Sequence, residues 1–239
     1  MNFLWEKGAL VDVVAKRWSM RAMLKKQDVH IPDDVSIPDI VYLGSKRLLP
    51  KWIENKFIKL EVGGRNTLKN NSFTFPVGQN SFVPLKALNN VLNGLDKIKE
   101  SWESERDSLL NNNDSGKSLY EIERDKMIEK YPDLLNKDFY PTVENLKERF
   151  HFTVVVYTLN LAEEFFKTEA AVEIKNQMNN FVHDATFTLR SKTIDICNNL
   201  QTKIDTGKLD MRHVNSIRKW IDKFSTLNFM DDREVAENL

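Results

Sequence analysis

The stretch LAEEFFKTEAAVEIKNQMNNFVHDATFTLRSKTIDICNNLQTKIDTG, residues 161–207, decides how the rest of the chain is read. Ala170, Ile174, Met178, Phe181, Ala185, Leu189, Ile196, Leu200 and Ile204 recur mainly at intervals of four and three residues. That spacing puts them on one side of an α-helix. No Gly or Pro interrupts it before Gly207. A continuous helix over these residues would be roughly 65 Å long, more than a compact domain needs for its core. Such a helix predicts a scaffold or a contact surface. The spacing averages slightly above 3.6, which predicts nearly straight or faintly right-handed packing in place of a heptad coiled coil.

Working outward, FHFTVVVYTL (150–159) is β-branched and aromatic and reads as a strand. Downstream, Met211 to Leu227 repeats the helical pattern with Val214, Ile217, Trp220, Ile221 and Phe224 inward. Upstream, Leu88, Val91, Leu92, Leu95, Ile98, Trp102 and Leu109 predict a second long helix, for which Pro84 suits the first turn. Ser118, with Glu121 three residues on, predicts a capped helix through Lys130, ended by Tyr131-Pro132. A short helix follows Pro141. NSFTFPVGQNSFVP (71–84) reads as a hairpin turning at 77–80. Within Ala9 to Leu24, VDVVAKRW alternates like a strand whereas Val13, Trp18, Ala22 and Leu24 fit a helix, and a strand to about Trp18 is the favoured reading. Residues 39–62 read as one or two short helices broken near Pro50 and ended by Gly63-Gly64.

The order predicts an α+β fold, mainly α: a single domain over 1–239, a small, mostly antiparallel sheet, short peripheral helices, and two long antiparallel helices (about 84–112 and 161–207) projecting as an arm. Lys plus Arg and Asp plus Glu are 35 each, so no global positive excess favours nucleic acid or anionic lipid. Cys197 is the only cysteine, which rules out an internal disulfide and suits a reducing cytoplasm. The N-terminus lacks the pattern of a secretion signal, and no apolar run approaches a membrane span. The expectation is a cytoplasmic or virion-associated protein.

Chemistry-bearing motifs are sparse. Ser115-Gly116-Lys117-Ser118 has Asn111 where a phosphate-binding loop needs its first Gly. Gly63-Gly64-Arg65 lacks dinucleotide spacing, and His30, His151, His183 and His213 fit no metal pattern. His183 with Asp184 and Arg190, or Cys197 with His213, would need to meet in space to matter. No catalytic residue, cofactor or metal is expected. Two surfaces are. Met178, Phe181, Leu189, Ile196 and Leu200 form a candidate protein interface on the long helix. Arg17, Arg21, Lys46 and Arg47, with Trp18 and Trp52 nearby, form a candidate nucleic-acid contact in the basic N-terminal third.

LVDVVAKRWSMRAML (10–24), YLGSKRLLP (42–50), and FTFPVGQNSFVPLKALNNVLNGLDKIKESW (73–102) leading to FHFTVVVYTL resemble an uncharacterised family of bacterial and phage proteins, known as a domain of unknown function. Members are often encoded beside a MoxR-type AAA+ ATPase and a von Willebrand factor A protein. The resemblance implies a partner in such a chaperone-like system and carries over no catalytic residue. The resulting expectation is a non-enzymatic phage or mobile-element adaptor or structural partner, with a homo-oligomer or an AAA+ ATPase as its contact. A nucleic-acid-binding accessory protein is the alternative.

Overall fold

In the computed structural model the described residues are 2–32, 34–38, 40–76, 78, 80–158 and 168–237. The elements in chain order are α1 (Asn2–Trp5), β1 (Gly8–Lys16), β2 (Arg21–Met23), a 3-10 turn (Lys26–Val29), β3 (Ser45–Arg47), α2 (Lys51–Asn70), β4 (Phe73–Thr74), β5 (Ser81–Pro84), α3 (Leu85–Leu110), α4 (Leu119–Lys130), a 3-10 turn (Lys137–Phe139), α5 (Val143–Lys147), β6 (His151–Tyr157), α6 (Glu169–Asp205), α7 (Met211–Leu227) and α8 (Arg233–Ala236). The fold is α+β and mainly helical. Among the described residues no helix is long and apolar enough to cross a membrane.

The chain forms two compact units interleaved along the sequence: Met1–Val13, Arg65–Leu95 and Val154–Leu239 in the first, Val14–Gly64 and Asp96–Thr153 in the second. In the first unit, β5 pairs antiparallel with β4 (Phe73↔Phe82) and with β1 (Leu10↔Phe82, Val11↔Ser81). The strand order of this sheet is β4-β5-β1-β6. Side chains alternate across the strands, so Leu10 and Phe82 join one core cluster and Val11 and Val83 another, all four fully buried. The first cluster is completed by Met178, Phe181, Ala185 and Leu189 of α6 and by Trp220, Phe224 and Leu227 of α7. The second is closed by Leu68 of α2 and by Ala87, Val91 and Leu95 of α3. Gly8 is the point of closest approach: a Cβ there would lie 2.6 Å from the Val83 carbonyl oxygen and closer still to the Phe82 ring.

The inner face of α6 is covered by the β4–β5 hairpin and by α7. The Phe181 ring meets Phe75 at 5.1 Å, Phe82 at 5.3 Å and Phe229 at 6.3 Å between centroids. Trp220 donates its indole N–H to Thr193 Oγ1 at 3.0 Å, and both residues are buried. The aromatic side chains of the hairpin are the large apolar surface that α6 faces. Residues 161–167, the expected first turns of the long helix, lie outside the described residues, as do 159 and 160 before them and Val77 and Gln79 of the hairpin turn. The far end of α6 falls where Gly207 predicts it: φ is +63°, and Lys208 N–H donates to the Lys203 carbonyl.

Two expectations fail for identifiable reasons. Gly63-Gly64 does not end a helix, because α2 runs through both to Asn70. Each interior Gly costs about 1 kcal/mol, and the burial of Leu68 beyond them offsets it. Farther along α2, a Cβ on Gly94 of α3 would lie 3.3 Å from the Thr67 side chain. The helical reading before Pro50 is also replaced, by β3, whose Ser45–Arg47 pairs antiparallel with Arg21–Met23. Ser118 caps α4 as expected, receiving Glu121 N–H while its own N–H donates to the Glu121 carboxylate at 3.0 Å.

The second unit is built on Phe57, which meets Trp102 at 5.1 Å and Phe150 at 4.7 Å. Trp18 packs edge-on against Tyr120 and Tyr140, whose hydroxyls donate to the carbonyls of Pro141 and Leu48. Burial pushes the Tyr140 phenol up to about 12. Because Phe181 contacts three aromatic rings, Phe181→Ala is expected to lower unfolding free energy by about 4 kcal/mol in urea denaturation. Val172→Ala, on the exposed side of the same helix, is expected to change it by less than about 0.5 kcal/mol.

Candidate functional site

α6 has two apolar sides, and the chain covers one of them. Successive helical residues turn by about 100°, so Met178, Phe181, Ala185 and Leu189 fall within an arc of about 80°. Their burial is nearly complete. Val172, Phe187, Ile194 and Cys197 fall within a similar arc on roughly the opposite side. All four are exposed, Phe187 at 64% and Val172 at 62%. The polar residues interleaved with them include the uncharged, exposed Asn176, Asn179 and Asn198, together with His183 and with Arg190, which pairs with Asp232 and Glu234. Of the interface residues expected from sequence, Met178, Phe181 and Leu189 are therefore core. Ile196 and Leu200 are half-buried, beside His213 and Ile217 of α7. The inward spacing was legible; the exposed apolar residues were missed because they are sparse and mixed with asparagine.

In the second unit, the four basic residues singled out above come to two neighbouring places. Arg21 and Arg47 face each other across the β2–β3 ladder, an arrangement that repels unless a carboxylate intervenes. Glu54, buried on the first turns of α2, is that carboxylate. Arg21 donates to both of its oxygens at 3.2 and 3.3 Å. Arg17 approaches at 3.7 Å and also reaches Glu61 at 3.5 Å, while Arg47 stands 3.9 Å away. Three guanidiniums share one buried carboxylate, with Arg21 and Arg47 half-exposed.

Lys46 points elsewhere. Its ammonium is buried, donates to Asp28 at 2.8 Å and to the Leu134 carbonyl at 2.8 Å, and lies 4.0 Å from the centre of the Phe139 ring. The hydrogen bond from Lys46 holds the Asp28 carboxyl below its ordinary range, helped by the Lys25 backbone N–H. Trp18 is buried and Trp52 is exposed, with Lys56 over its ring at 5.6 Å. A cleft of about 340 Å³ opens beside this cluster, lined by Arg47, Leu49, Pro50, Lys51, Met127, Tyr131, Leu134 and Leu135 as well as Lys46.

The remaining motifs resolve locally. Lys117 pairs with Asp125 at 3.1 Å, and Ser118 is committed to its cap, so the Ser115–Ser118 turn is a connection between helices. His183 sits 3.6 Å from Asp184, but Arg190 turns to Asp232 at 2.7 Å and Glu234 at 2.8 Å. His213 accepts from Asp210 N–H at the start of α7, and Cys197 is exposed on α6. Among the described residues no group of three or more His, Cys, Asp or Glu could hold a metal ion.

Residues 6–237 match the family described as "Protein of unknown function (DUF3150)", and the chain belongs to that family. No curated protein and no solved structure matches the chain.

The Asp28–Lys46 pair sets a pH dependence. A carboxyl whose folded pKa is depressed contributes stability above its unfolded value, and loses it as pH falls through the folded one. Denaturation midpoints of the wild type are therefore expected to fall more steeply below about pH 4 than those of Lys46→Met, in which the carboxyl has lost its main partner. Parallel curves would remove Asp28 from the explanation.

Proposed function

We propose that the protein is a non-enzymatic adaptor or structural partner, of phage or mobile-element origin, that offers the outer face of α6 to another protein. A MoxR-type AAA+ ATPase is the first partner to test, because the family resemblance implies that company. The observation that carries the reading is the opposition of the two faces of α6. One side is used to build the core, and the other keeps Val172, Phe187 and Ile194 in solvent over about 33 Å of helix. Large apolar side chains aligned on one helix face are the pattern of a helix that docks into a partner. The projecting pair of long helices expected from the sequence belongs to the same proposal, with α6 as its contact arm.

The nucleic-acid alternative draws on Arg17, Arg21, Lys46 and Arg47. It receives less support, because Arg17 and Arg21 contact buried Glu54 and Lys46 is buried against Asp28. A phosphate track needs several cations free in solvent.

Tagged protein recovered from its native cells, with and without nuclease, tests both readings. The combined variant Phe187→Ser, Ile194→Ser is expected to keep the wild-type melting temperature within a few degrees while losing at least about tenfold of the captured protein. Undiminished capture by that variant would sink the adaptor reading on this face. Capture that disappears with nuclease would favour the nucleic-acid alternative.

A further inference from the structure

The cleft between the β3–α2 turn and the end of α4 has the composition of a peptide site. Its walls are apolar: Leu49 and Pro50 on one side, Met127, Tyr131, Leu134 and Leu135 on the other. Its volume of about 340 Å³ accommodates one large side chain with its neighbours. The two sides are tied together underneath. Lys46 of β3 donates to the Leu134 carbonyl, and the Tyr140 hydroxyl donates to the Leu48 carbonyl at 2.7 Å. Buried cross-ties of this kind hold a site open in one shape, so a ligand does not have to order it.

The rim is cationic. Lys51 is exposed and, among the described residues, makes no ion pair. Arg47 is 45% exposed at its side chain, makes no hydrogen bond among the described residues, and reaches Glu54 only at 3.9 Å. The nearer position on Glu54 is held by Arg21, which donates to both oxygens at 3.2 and 3.3 Å. Arg47 therefore keeps its planar fork of N–H donors for an incoming carboxylate, which would also relieve the repulsion across the ladder from Arg21.

We propose that this cleft docks an acidic segment of a partner protein, with an apolar side chain seated on Pro50, Met127 and Leu134 and a neighbouring carboxylate engaged by Arg47 and Lys51. The inference rests on the adaptor reading and adds a second contact surface, with the chemistry of what it takes. An acidic peptide is favoured over nucleic acid because the free cations are few and the cleft between them is apolar. Charge at the rim gives rate and selectivity, and burial of the apolar side chain gives residence.

The test is a fluorescence polarisation titration of the full chain with the labelled octapeptide EEDFLDEE. Saturable binding is expected, weakened about tenfold by Lys51→Glu and by Arg47→Gln, and by a similar factor when Phe-Leu in the probe becomes Ser-Ser. Lys51 opens α2, where glutamate suits the helix dipole, so Lys51→Glu is expected to fold. Phe187→Ser is expected to bind the probe as the wild type does, which separates failure at this cleft from failure of the α6 face. No saturable binding up to about 1 mM, or binding indifferent to both substitutions, would overturn the proposal. A labelled oligothymidylate that binds more tightly than the peptide and is weakened by the same substitutions would overturn it in favour of nucleic acid.

Discussion

The Phe181 ring is the contact on which the first unit depends. It projects from the middle of α6 into the Phe75, Phe82 and Phe229 rings, and through Phe82 it bears on the strand that pairs with both β4 and β1. A helix in water has no reason to choose one face over another. Burying Met178, Phe181 and Leu189 on a surface of aromatic rings supplies that reason, at about 1.5–3 kcal/mol for each of these side chains removed from water. Once Met178, Phe181, Ala185 and Leu189 are committed inward, everything half a turn away is committed outward. The exposure of Val172, Phe187 and Ile194 follows from the same packing that defines the core.

The second unit is organised by charge as well as by rings. Placing Arg21 opposite Arg47 on a two-stranded ladder would be unfavourable in isolation, and a buried Glu54 makes it tolerable. A carboxylate has two oxygens, however, and three guanidiniums compete for them. The geometry satisfies Arg21 first, Arg17 partly with the help of Glu61, and Arg47 least. That unequal division leaves a half-exposed guanidinium beside an apolar cleft.

Much of this was legible in the sequence wherever a periodic pattern was long or a cap was explicit. The β5 pairing, the Ser118–Glu121 cap, α3, α7 and the inward stripe of α6 from Ile174 to Leu200 are all written in spacing, whereas Ala170 and Ile204 at the ends of the expected stripe are exposed. What was not legible depended on distance in space. Gly63-Gly64 reads as a stop because propensity is local, yet Leu68 anchors the helix beyond them. The segment before Pro50 reads as helix because nothing in it reveals that Arg21–Met23 will pair with it. The two interleaved units leave no composition break, since α2 and α3 each contribute residues to both. The four basic residues were recognisable as a group, but which of them would retain a free guanidinium was a matter of where Glu54 and Asp28 lie.

The division of α6 into a covered and an open side can be measured with thiol chemistry, because the chain has one cysteine and it lies on the open side. Labelling by a maleimide is compared at Cys197 in the native protein and at the buried position of Ala185→Cys in a Cys197→Ser background. Cys197 is expected to react at close to the rate of the urea-unfolded chain, and position 185 at least about a thousandfold more slowly, limited by unfolding. Protection of Cys197, or rapid labelling at 185, would contradict the assignment of the two faces and with it the surface proposed for a partner.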